Sequence, residues 1–218
     1  MKCSKKTMLL YAVTNSKLPV KQSLLEQVES ALKGGITCLQ LREKDLDEAS
    51  FLAEAIEIKR VCEKYGVPLI INDNVNVAIQ SGAYGIHVGQ SDMEVSEVRK
   101  LVGDNMIIGV SAHTVQEAIE AEVGGADYLG VGAIYPTTTK PDATFVSLNE
   151  LKRICKSVKI PVVAIGGIDK DTIPKLSGTG VDGVAMVSPI FAPDEGGIEQ
   201  ACRVLLRKAK DMVYDIER

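Results

Sequence analysis

Four segments of the chain align without gaps: "GITCLQL" from Gly35, "GAYGIHV" from Gly82, "GADYLGV" from Gly125 and "GVDGVAM" from Gly180. Each follows a helix-like stretch and opens an apolar run. The leading glycine suits a helix C-terminal cap, where the backbone takes a positive φ without steric cost, and the residues after it feed a strand with no tight hairpin. The segments start 47, 43 and 55 residues apart, which leaves room for two βα units in every interval. The intervening strands are "PLIIND" (68–73), "MIIGVSA" (106–112) and "PVVAIGG" (161–167), and "TMLLYAVT" (7–14) precedes the first repeat. Between them, stretches such as "DEASFLAEAIEIKRVCEKYG" and "TVQEAIEAEVGG" space their apolar residues three and four apart, the period of an amphipathic helix. Eight strands alternating with helices imply a parallel sheet. In a chain of 218 residues they predict an α/β architecture, a single-domain (β/α)8 TIM barrel over residues 1–218. An open doubly wound sheet is the alternative, but no G-x-G-x-x-G follows the first strand.

Composition narrows the class of protein. A hydrophobic share of 45% and a net charge of −4 are ordinary for a globular chain, not for a disordered or fibrous one. The five cysteines, Cys3, Cys38, Cys62, Cys155 and Cys202, are odd in number, widely spaced and without a C-x-x-C pair, so neither a disulfide framework nor a zinc site is expected. That usage predicts a reducing, cytoplasmic setting. The opening "MKCSKKTMLLYAV" has a basic start and an apolar run too short for a signal peptide, and no cleavage motif follows, so it reads as a first strand. No apolar run reaches the roughly 18 residues that suggest a membrane span. With 4% aromatics and no basic run, nucleic acid is not the expected partner either.

In a barrel of this kind the chemistry sits at the C-terminal ends of the strands. The second strand ends in Arg42 and Lys44, the third in Asn72 and Asp73, the fourth in Gln90 and Asp92, and the fifth in Ser111. "PTTTK" (136–140) follows the sixth, Gly166 and Gly167 the seventh, and Ser188 the eighth. One rim therefore carries nearly all the unusual polar residues. Side chains alternate faces along a strand, so Gln40, Arg42 and Lys44 share one parity and are expected at the barrel mouth. Cys38 is read as facing outward, into packing.

Two strand-end carboxylates beside several cations suit a divalent metal and a polyphosphate. Mg2+ takes one or two protein carboxylates and fills its octahedron with water and phosphate oxygens. Arg42, Lys44 and Lys140 would neutralise the remaining phosphate charge, Arg as a planar fork and Lys as a point charge. Each group also has a plainer reading. Arg42 to Asp45 can be a solvated turn capped by Asp45 or Asp47, Asp73 can cap the helix from Asn74, and Asp92 can cap the helix in "MEVSEVRKL". The small residues of "AIGGI" and "VSPIF" lie where many barrels hold a monophosphate, although a plain turn also explains Gly-Gly. No nucleophile dyad is evident: His87 reads as a packed or hydrogen-bonded residue, and His113 lies just past Ser111 at the rim. Sites for a diphosphate, a metal and a monophosphate suggest substitution at carbon with pyrophosphate leaving.

In order along nearly the whole chain, "QLREK", "IINDN", "GIHVGQSD", "GVSAHT", "PTTTK", "AIGGI" and "VAMVS" are similar to the motifs of the thiamine phosphate synthases. The resemblance implies a transferase of a pyrimidinylmethyl group, joining hydroxymethylpyrimidine diphosphate to hydroxyethylthiazole phosphate with release of pyrophosphate. It implies that Gln40, Arg42, Lys44, Asn72, Ser111 and Lys140 bind the pyrimidine diphosphate, with Arg42, Lys44, Ser111 and Lys140 serving catalysis. It further implies that Asp73 and Asp92 hold Mg2+, and that Thr137, Thr138, Thr139, Gly167, Val187 and Ser188 bind the thiazole phosphate. Pro189 departs from the pattern, standing where the family often has a small residue, and removes one backbone N–H. A thiazole tautomerase shares the fold and uses a histidine matching His113; a non-catalytic binder of thiazole phosphate is a third reading. Retention of Arg42, Lys44, Asp73, Asp92 and Lys140 favours the synthase.

Overall fold

A computed structural model of the chain describes residues 3–137 and 144–214. Eight parallel strands close into a barrel in sequence order: β1 (Leu10–Val13), β2 (Cys38–Leu41), β3 (Leu69–Asn72), β4 (Gly85–Val88), β5 (Ile107–Ala112), β6 (Tyr128–Val131), β7 (Val162–Ile165) and β8 (Gly183–Met186), with β8 pairing back onto β1. The open sheet is excluded. Around the barrel lie α1 (Leu24–Gly34), α2 (Glu48–Tyr65), α3 (Val75–Ser81), α4 (Val95–Val102), α5 (Val115–Val123), α6 (Leu148–Ser157), the short α7 (Ser188–Phe191) and α8 (Gly197–Tyr214).

All four repeat glycines hold positive φ, 94° at Gly35, 64° at Gly82, 101° at Gly125 and 93° at Gly180, and each strand begins three residues later. The repeat is therefore one backbone device used four times, a left-handed turn that stops the preceding segment and aims the chain into the barrel. Between β7 and β8 the segment is a single 3-10 turn (Ile173–Leu176) instead of an α-helix, and left-handed Gly178 follows it closely. Most strands are shorter than the apolar runs suggested: "TMLLYAVT" contributes only Leu10–Val13 to the ladder.

Strand parity divides the interior into two cores. Outward residues such as Leu39, Leu41, Leu69 and Ile71 pack beneath the helices in one large cluster. Inward residues, Met8, Tyr11, Cys38, Ile70, Ile107, Tyr128, Val163 and Ala185 among them, fill the barrel itself. Cys38 thus faces inward, not outward: it shares the parity of Gln40, and the same alternation that aims Gln40 at the axis aims Cys38 there. Glycine makes room for two inward rings, Tyr128 and His87. A Cβ on Gly109 would lie 2.1 Å from the Tyr128 ring, so that ring has its place only because the facing position has no side chain, and one on Gly130 would lie a tight 3.1 Å from His87.

Candidate active site

A cavity of about 980 Å3 opens at the C-terminal ends of the strands. Gln40 and Arg42 reach it from the end of β2, with Lys44 in the loop that follows. Asn72 and Asp73 line it from β3 and its loop, Asp92 from the β4–α4 loop, and Ser111 from β5. Thr137 follows β6, Gly167 follows β7, and Val187 and Ser188 follow β8. All eleven of these expected site residues border this one space. Thr138, Thr139 and Lys140 lie outside the described residues.

Asp73 and Asp92 are not helix caps. The cap of α3 is Asn74, whose Oδ1 accepts from Val77 N–H at 2.9 Å, and that of α4 is Glu94. Asp73 instead holds a left-handed conformation, φ 61°, and is the one non-glycine residue to do so among those described. Its N–H donates to His87 O across to β4 at 2.8 Å, and its carboxylate is paired with Lys44. Asp92 accepts from Gly89 N–H at 2.7 Å, closing its loop, and forms no ion pair among the described residues. The Arg42 guanidinium likewise has no carboxylate partner among them. Asp47 does cap α2, as one reading expected, bonding Ser50 N–H at 3.0 Å, while Asp45 pairs with Lys17 at 2.9 Å.

Beneath the rim the sequence reading missed a buried polar series. Gln40 Nε2 donates to Tyr11 Oη at 3.0 Å, the two tyrosine hydroxyls meet at 2.7 Å, Tyr128 Oη meets His87 Nδ1 at 2.9 Å, and His87 Nε2 meets Ser111 Oγ at 3.0 Å. Burial pushes the His87 pKa down to about 4, against a small opposing effect of the Asp92 charge, so the imidazole is neutral at neutral pH. Burial also raises both phenols well above their ordinary range. Strand parity was the available signal, since "LYAV" and "YLGV" turn Tyr11 and Tyr128 to the axis. His113 borders the cavity, with Nδ1 held 3.1 Å from Glu117 Oε2.

On the opposite wall, Gly166 and Gly167 hold φ of 94° and 63°. The backbone N–H groups of Gly167 and Ser188 have no hydrogen-bond partner among the described residues and border the cavity. Pro189 falls within the first turn of α7, where a backbone N–H has no intrahelical acceptor in any case. Its ring therefore leaves the hydrogen bonding of that turn intact.

A closed (β/α)8 barrel with cations, carboxylates and unpaired backbone donors on one rim belongs to the enzymes that handle phosphorylated substrates. The sequence profile described as thiamine monophosphate synthase matches residues 10–190. Thiamine-phosphate synthase of Clostridium acetobutylicum is 49% identical over 196 residues, covering 90% of this chain and 92% of its own. That of Methanobrevibacter smithii is 48% identical over 182 residues, covering 84% and 87%. The solved structure of thiamine phosphate pyrophosphorylase from Pyrococcus furiosus superposes with a TM-score of 0.87 at 34% identity, covering 96% of this chain and 98% of that one. The chain belongs to the thiamine monophosphate synthase family, transferases of thiamine biosynthesis.

Proposed function

We propose that this chain joins hydroxymethylpyrimidine diphosphate to hydroxyethylthiazole phosphate by a dissociative substitution, releasing pyrophosphate and forming thiamine monophosphate. The observation that carries the reading is the convergence of the eleven described rim residues on one cavity. Arg42 and Lys44 bind the diphosphate, and charge builds on the leaving group as the carbon–oxygen bond breaks. Cations already in place there stabilise the transition state more than the ground state. Lys140 is assigned the same role from the sequence. Asn72 and Ser111 orient the pyrimidine diphosphate, Gln40 the ring. Gly167, Val187 and Ser188, with Thr137 and by sequence Thr138 and Thr139, hold the thiazole phosphate so that its ring nitrogen faces the pyrimidine methylene.

Asp73 and Asp92 fit Mg2+ as hard oxygen donors at the mouth, and a pair is the number this ion takes from protein when phosphate oxygens complete its shell. No cluster of three or more His, Cys, Asp or Glu occurs among the described residues, so a site closed by protein alone is not the reading. The ion would supply positive charge to the diphosphate. Lys44, now paired with Asp73, would turn to phosphate when that carboxylate takes the ion. Among the described residues no helix is long and apolar enough to cross a membrane, which accords with substrates that are small and soluble; a cytoplasmic location belongs to the same proposal.

The test is incubation of the purified chain with both substrates and Mg2+, following thiamine monophosphate and pyrophosphate together. Equal release of the two supports the reading. Isomerisation of the thiazole without coupling, or binding without turnover, would replace it with the tautomerase or the binding protein.

A further inference from the structure

The buried series from Gln40 to Ser111 has a direction that its donors and acceptors determine. An amide NH2 donates only, so Tyr11 Oη accepts from Gln40 and its single hydrogen goes to its other partner, Tyr128 Oη. The Tyr128 side chain is fully buried and its hydroxyl has no acceptor besides His87 Nδ1 among the described residues, so its own hydrogen goes there and Nδ1 carries none. A neutral imidazole with a bare Nδ1 has its hydrogen on Nε2, and that hydrogen goes to Ser111 Oγ. Gln90 bonds the backbone oxygen of Ser111 at 2.7 Å and does not compete for Oγ. The Ser111 hydroxyl hydrogen is therefore left for the cavity, and so is the amide oxygen of Gln40.

We propose that Tyr11 and Tyr128 are positioning residues: by fixing the hydrogen of His87 on Nε2, they present a substrate ring with an acceptor from β2 and a donor from β5. The complement is a heteroaromatic ring carrying an amino group and a bare ring nitrogen. Reversing the series would turn Gln40 into the donor and Ser111 into the acceptor, the complement of an oxo ring. Preference for an aminopyrimidine over its 4-oxo analogue is thus written in the direction of hydrogen bonds beneath the site. The identity of the ring rests on the synthase reading; the direction itself does not.

The experiment is nitrogen NMR of the substrate-free protein with 15N-labelled histidine, the two residues distinguished by a His113→Ala variant. Wild type is expected to show His87 neutral with its hydrogen on Nε2. Tyr128→Phe should produce a mixture of tautomers and raise the KM for the pyrimidine diphosphate about tenfold, the loss of one aligned hydrogen bond. The KM for thiazole phosphate should not move. Tyr11→Phe, which removes one oxygen and leaves the ring, should act in the same sense. A purely structural role would lower the folded fraction without selecting one substrate or changing a tautomer. Hydrogen on Nδ1 in wild type, or a folded Tyr128→Phe with the wild-type tautomer and KM, overturns the proposal. The tautomer is read without substrate, so a chain inactive in coupling would still report it. If Nε2 carries the hydrogen and the 4-oxo diphosphate nevertheless binds as tightly as the amino compound, the recognition part fails alone.

Discussion

Lys44, just beyond β2, and Asp73, just beyond β3, form an ion pair across adjacent strands at the barrel mouth. The pair is half open to water, with 48% of the Lys44 side chain and 27% of the Asp73 side chain exposed. A pair so placed contributes little to stability. Yet Asp73 occupies a left-handed backbone, φ 61°, that disfavours most side chains. Its position is better explained by what the carboxylate meets at the mouth than by support of the fold.

Asp73→Gly separates those roles. Glycine takes the left-handed conformation freely, so the variant should melt no lower than wild type. If Asp73 is a metal ligand, the Mg2+ needed for half-maximal activity should rise about tenfold or more, and excess EDTA should abolish turnover of wild type. Full product formation in EDTA would end the metal assignment. Asp92→Ala should raise the Mg2+ requirement in the same direction.

Arg42 has no carboxylate partner among the described residues, so its charge is available to a leaving group. Arg42→Met should lower kcat as well as raise the KM for the pyrimidine diphosphate. The total loss should be roughly 2–4 kcal/mol, the scale for removing a donor aimed at developing charge. Steady-state kinetics with each substrate varied in turn would decide it. A change confined to the thiazole phosphate KM would remove Arg42 from the leaving group.

His113 discriminates between the two enzyme readings. Its Nδ1 is held by Glu117 at 3.1 Å, on the first turn of α5. On the proposed dissociative route coupling needs no base at that point, and His113→Ala should retain most of the activity. Complete loss in a folded variant would show that the histidine takes part in the chemistry.

Gly109→Ala would set a methyl group 2.1 Å from the Tyr128 ring. Tyr128 must then leave its contacts with Tyr11 and His87. Overpacking of this kind costs about 1–3 kcal/mol, so the melting temperature and the affinity for the pyrimidine diphosphate should fall together. A structure of the variant with Tyr128 unmoved would contradict the expectation.

Glu54, on α2, has its pKa raised from 4.5 to about 7, chiefly by burial and then by the nearby charges of Glu43 and Glu57. The native state therefore holds this proton more tightly than the unfolded chain does. No penalty arises below about pH 4.5; it grows as pH rises and is complete above about 7. Glu54→Gln should raise the melting temperature above neutrality and change it little in acid. Equal effects across that range would show that the carboxyl is not perturbed.

The architecture was legible because it is periodic. Gly35, Gly82, Gly125 and Gly180 mark the same turn, and strand-end polarity marks the mouth. The plainer readings of Asp73 and Asp92 as caps could be settled only by geometry: cap choice turns on one residue of offset, and Asn74 and Glu94 take the positions. Tyr11 and Tyr128 were hidden for another reason. Their hydroxyls meet across 117 residues of sequence, and each stands in an ordinary apolar strand. Parity can turn such a side chain inward, but it cannot name its partner on the far wall.

The inward apolar layer packs Met8, Cys38, Ile70 and Ile107 against Val163 and Ala185, which themselves line the cavity wall. On the proposed dissociative route, a short-lived cation formed over this layer would meet stray water from the mouth, where the second substrate must also arrive. How much of that cation is wasted would then depend on how well the incoming ring stoppers the mouth.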